Sequence, residues 1–147
     1  MADIRDHMYA ADSRAGGGFN GSGSAHIEAV SNWTTDNLGA GDQHRIFRAA
    51  QDCFVSNFVL IADDLDSDGS PTITLDVGTD TDDDEFIAAS TVGQGGGTEL
   101  TNTASTGTAT EAGFPLSEGD YVIISVNAAA ATAQAGNTTV HFDVQFV

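Results

Sequence analysis

Between Ala49 and Val147 the chain carries sixteen Asp and Glu residues and neither Lys nor Arg. A fold built from this stretch has no basic side chain of its own to set against its carboxylates. Each acid must face solvent, accept hydrogen bonds, hold a cation, or meet a basic surface on another molecule. The four basic residues, Arg5, Arg14, Arg45 and Arg48, all precede that stretch, and the whole chain has a formal charge of −18. Phosphate affinity comes from Lys and Arg displacing counterions, so nucleic acid is not an expected partner. An anionic membrane surface is disfavoured for the same reason. The charge fits solubility in a salty medium, and it fits docking of an acidic face on a basic protein surface.

The apolar residues fall in short runs with β character. Ile73, Leu75 and Val77 alternate with Thr72, Thr74 and Asp76, and Gly78 is expected to end that strand. Val140, Phe142, Val144 and Phe146 alternate with His141, Asp143 and Gln145 to the C-terminus. Tyr121 to Val126 is dense in β-branched residues and reads as a central strand. Cys53 to Ile61 is apolar without strict alternation, which implies burial on both faces or a bulge. His44 to Ala50 reads as a first strand, Phe86-Ile87 starts another, and Glu99–Thr103 and Thr106–Thr110 are expected as weak edge strands. Ala128 to Ala135 is Ala-rich and suits one helical turn or a hairpin tip. With 147 residues there is room for one domain. Short strands separated by turn signals make it an all-β antiparallel sandwich, jelly-roll-like, over residues 26–147.

Residues 1–25 differ in composition. Ala15 to Ala25 reads A-G-G-G-F-N-G-S-G-S-A, too poor in apolar surface to order by itself. Two readings stand for this flexible N-terminal arm: a disordered tail, or a segment that orders only against a neighbouring subunit, with Tyr9 and Phe19 as anchors and Arg5 and Arg14 meeting acidic surfaces. No apolar segment follows a basic start, so no secretory signal is expected. The longest apolar run, Phe58 to Ala62, is far shorter than the ~20 residues of a spanning helix.

The motifs give little support to catalysis. Among them there is no G-x-S-x-G elbow, and His7, His26, His44 and His141 show neither H-x-H nor H-E-x-x-H spacing. Cys53 opens an apolar strand and reads as a small buried hydrophobe. Gly93-Gln94-Gly95-Gly96-Gly97 lacks the Lys of a phosphate loop. The sharpest motif is Asp64-Leu65-Asp66-Ser67-Asp68-Gly69, a D-x-D-x-D-G run whose alternate carboxylates, Asp64, Asp66 and Asp68, suit calcium. The full EF-hand fails, because its twelfth position is Leu75 rather than Glu. The competing reading of that run is an acidic hairpin tip. The second acidic run, Asp80 to Glu85, is a solvated loop, a further cation site or a docking tip. No cofactor is required; calcium is the cation these acids would take.

The strand T-I-T-L-D-V-G at residues 72–78, the acidic turn, F-I-A-A-S at 86–90, G-D-Y-V-I-I-S-V at 119–126 and the terminal strand together resemble small β-rich virion proteins of tailed phages. Those are the capsid decoration or cement proteins, and Ala11-Asp12-Ser13-Arg14 has the look of their N-termini. The resemblance covers roughly residues 44–147. It implies a compact sandwich, frequently trimeric, without enzymatic activity, bound to the major capsid protein on the outer surface of the virion after synthesis in the host cytoplasm. A calcium-dependent surface module for carbohydrate or receptor, and a minor tail or baseplate protein, are the alternatives.

Overall fold

The computed structural model describes residues 23–100 and 113–147. Among the described residues nine strands form two antiparallel sheets. They are β1 (Gly23–Trp33), β2 (Gln43–Arg48), β3 (Cys53–Ala62), β4 (Thr74–Thr79), β5 (Ile87–Ser90), β6 (Gly97–Leu100), β7 (Phe114–Leu116), β8 (Tyr121–Ala128) and β9 (Gly136–Phe146). One sheet has the order β1-β9-β3-β6, with β7 also on β3; the other has the order β2-β8-β4-β5. Apart from the short β7, this is the strand order of a jelly roll. The connections β1–β2, β2–β3, β3–β4, β5–β6, β7–β8 and β8–β9 each cross from one sheet to the other.

The alternating pattern of β9 places Val140, Phe142, Val144 and Phe146 inside, as period two demands. β8 is buried from Val122 to Val126, so it is covered on both faces, as a central strand of this sheet. The irregularity of β3 is a bulge: the register with β9 shifts between Ser56 and Val59. Asn57 sits there at φ 57°, a left-handed conformation Asn tolerates better than most residues. The extra residue turns Phe58 inward, where it stacks between Phe86 at 4.1 Å and Phe142 at 4.9 Å, the centre of the core. Phe47 meets Phe142 edge-on at 5.5 Å from the facing sheet. Cys53 is buried.

Four local expectations change. Residues 23–25, assigned to the arm by composition, are the first three residues of β1. The sequence reading has no strand at 23–33, because the inward positions there include Ala25, Ala29 and Ser31, too small or polar to mark an apolar face. β4 runs through Gly78 to Thr79 instead of stopping at the glycine. Ala128 to Ala135 is a crossing between sheets, with Ala133 bridged to Asp66, and not a helical turn. β6 contains the start of the expected 99–103 strand; Thr106–Thr110, like Arg5, Tyr9, Arg14 and Phe19, lies outside the described residues.

Candidate functional site

Three features gather the polar chemistry of the molecule: the D-x-D-x-D-G loop, the Asp80–Glu85 loop, and the outer face of the β1-β9-β3 sheet.

The first follows β3 and crosses between the sheets beside the β8–β9 crossing. Asp66 is 1% exposed. Its Oδ1 accepts the backbone N–H of Thr132 at 2.8 Å and of Asp68 at 3.3 Å. Its Oδ2 accepts those of Thr72 and Ala131, each at 2.8 Å, and of Ile73 at 3.2 Å. One carboxylate thus gathers amides from both crossings. Burial works against its charge, but the N–H groups of Thr132, Ala131, Thr72 and Ile73 outweigh burial and hold the carboxyl well below the usual range. Asp64 accepts the Asp66 N–H at 3.1 Å; Asp68 accepts the Ser70 N–H at 2.8 Å and the Thr132 hydroxyl at 3.0 Å. These are side-chain turns that cap backbone donors. The carboxylates proposed from sequence as calcium ligands point at N–H and O–H groups, and a cation at Asp66 would have to displace five amides.

The second loop folds back over the outer face of the β2-β8-β4-β5 sheet. A Cβ at Gly78 would collide with the backbone of Asp82 and Asp83, so glycine is what lets the loop lie this close. Under it lie Ile123, Ser125 and Asp76, all buried and all on the side of the sheet away from the core strands' inward residues. The Ser125 hydroxyl lies 3.4 Å from Asp83 Oδ2. Asp76 Oδ1 accepts the Ala89 N–H at 2.6 Å. Burial pushes the Asp76 carboxyl up, and the charges of Asp83 and Asp84 push the same way, against the Ala89 hydrogen bond. At the rim, the Asp82 and Asp84 side chains hydrogen-bond each other, which lowers Asp82 and raises Asp84. Among the described residues, Asp82, Asp83 and Asp84 are the acids whose oxygens come within 4.8 Å of one another as a set of three. The cation candidates of the sequence, Asp64, Asp66 and Asp68, do not form such a set.

The third feature was not found from sequence. His26 on β1 faces Asp143 on β9, and Glu28 faces His141. His26 Nδ1 donates to Asp143 Oδ1 at 2.8 Å, and Asp143 Oδ2 accepts the Asn57 amide at 2.9 Å from the β3 bulge. The hydrogen bonds from His26 and Asn57 hold the Asp143 carboxyl below its ordinary range. His26 Nε2 lies 3.3 Å from His141 Nδ1. Ser24, Ser56 and Gln145 complete a shallow polar hollow beside His26 and Asp143. The two histidines are 115 residues apart in sequence, so their proximity is invisible until the β1–β9 register is known.

No family model and no curated protein matches the chain. Solved structures do. A chain of the cyanophage Pam1 capsid asymmetric unit is 23% identical, with a TM-score of 0.69 over 88% of this chain and 89% of its own length. A chain of the Ralstonia phage GP4 capsid is 27% identical, with a TM-score of 0.59 over 87% of this chain and 84% of its own. The likeness spans both sheets and is to phage capsid chains.

Proposed function

We propose that this is a non-enzymatic virion structural protein, and more specifically a decoration or cement protein that binds the outer surface of a phage head. The observation that carries the reading is the 27% identity and shared fold with a chain of the Ralstonia phage GP4 capsid over most of both lengths. The physics of the chain supports the finer role. A jelly roll with an aromatic centre suits a structural module, and its buried Asp66 carboxylate is spent on fixing two crossings. The rim of Asp82, Asp83 and Asp84 is an exposed negative tip suited to a basic patch on the major capsid protein. Many weak contacts repeated over a lattice stabilise a shell more than each contact alone would suggest. A homotrimer would suit a local three-fold position.

The test is co-sedimentation of the purified protein with expanded capsids, unexpanded procapsids and isolated tails, at low and high salt. Saturable binding to expanded capsids alone is expected, weakened by salt. Binding to tails, or to no particle, overturns the decoration role.

A further inference from the structure

We propose that His26 and His141 form a binding site for a divalent transition-metal cation of the zinc class, on the outer face of the β1-β9-β3 sheet. Two ligand nitrogens at about 2.0–2.1 Å from one tetrahedral zinc ion are separated by about 3.3–3.4 Å. His26 Nε2 and His141 Nδ1 are 3.3 Å apart. The ring planes differ by 22°, and the centroids lie 5.5 Å apart, which exceeds the N···N distance by roughly two ring radii. The rings therefore meet end to end, with these two nitrogens converging, rather than face to face.

The surroundings are those of a metal ligand. The Asp143 carboxylate accepts the hydrogen bond of the His26 Nδ1–H, which fixes the tautomer and leaves the Nε2 lone pair outward. This carboxylate–histidine arrangement orients imidazole ligands. Asp143 is itself held by Asn57, and Asn57 is aimed by the left-handed bulge in β3. Three strands thus converge on the position of one imidazole. In the metal-free form the His141 Nδ1–H donates to His26 Nε2; on binding, that proton moves to the His141 Nε2, and both lone pairs face the cation. Among the described residues no further His, Cys, Asp or Glu brings a ligand atom within 4.8 Å of both nitrogens, so water completes the coordination shell. The side chains of His26 and Asp143 are 61% and 45% exposed, so a hydrated cation reaches them without any rearrangement of the fold. A chain of net charge −18 also concentrates cations at its surface.

The experiment is calorimetric titration of the full chain with Zn²⁺ in chelator-stripped buffer, alongside Co²⁺ read by its visible absorption. One equivalent is expected to bind, with nitrogen ligation in the Co²⁺ spectrum. His26→Ala and His141→Ala should each weaken binding at least 30-fold. Asp143→Asn should weaken it by about 10-fold or more. His7→Ala and an Asp82→Asn/Asp84→Asn double variant should leave it unchanged, and excess Ca²⁺ should not compete. Because these side chains are on the surface, the melting temperatures of the metal-free variants give an independent check that each folds. Zinc binding that survives both histidine substitutions, or that is lost in the Asp82/Asp84 variant, overturns the proposal, as does an absence of binding at micromolar protein.

Discussion

Two buried aspartates of the same chain sit in opposite electrostatic settings. Asp66 is surrounded by five N–H donors, whereas Asp76 has one and lies under the negative charge of Asp83 and Asp84. Substitution should therefore act in opposite directions. Asp66→Ala leaves five amides unpartnered and is expected to lower stability by about 3–5 kcal/mol in denaturant unfolding; a loss under 1 kcal/mol would contradict the clasp. Asp76→Asn keeps an acceptor for Ala89 and removes the charge, so at pH 7 it should leave stability unchanged or raise it. A clear loss on Asp76→Asn would show that the charge is needed. The pH dependence follows the same signs. The Asp66 carboxyl is depressed in the folded state, so its stabilisation is present above about 3.8, the ordinary value, and fades as pH falls below it. Asp76 is raised, so its contribution is favourable below that value and is lost as pH climbs through the raised one. With the Asp66 oxygens engaged, millimolar calcium is expected to leave the melting temperature unmoved. A rise reversed by EDTA would instead support the calcium loop.

At the level of the strand, legibility depended on which residues point inward. β4, β8 and β9 could be read because Ile, Leu, Val and Phe mark their inner faces. β1 could not, although it is as long as β9, because Ala25, Ala29 and Ser31 leave its inner face looking like a loop. The break in the alternation of β3 left burial on both faces or a bulge open; the structure has the bulge, and its consequence is the position of Phe58. Removing that ring in Phe58→Ala opens a cavity between Phe86 and Phe142 and should cost about 3–5 kcal/mol. A change under about 1 kcal/mol would mean the stack is not the centre of the core. The polar sites were less legible than the strands. The D-x-D-x-D-G run is obvious in the sequence, but the donors that occupy Asp66 include Ala131 and Thr132, 65 and 66 residues away. The His26–Asp143 and His26–His141 contacts likewise span 117 and 115 positions. Motif spacing cannot report such pairs; only the register of distant strands can.

For the molecule as a whole, the −18 charge sets the terms. The fold neutralises some acids with backbone amides but leaves Asp82, Asp83 and Asp84 together on the rim. Self-repulsion should therefore be relieved by salt: raising NaCl from about 0.1 to 1 M shortens the screening length from about 10 to about 3 Å. The melting temperature is expected to rise by about 5 °C or more, the shift of roughly 1–2 kcal/mol at this size. A fall with salt would mean that attractive pairs dominate. The same salt should weaken docking to a basic shell, so stability and binding are expected to move in opposite directions. The most direct measurement is a cryo-electron-microscopy difference map between bare expanded capsids and capsids saturated with this protein. The account predicts added density on the outer surface, at repeated positions, into which the jelly roll fits. Density confined to the tail or the shell interior, or no added density, would contradict it.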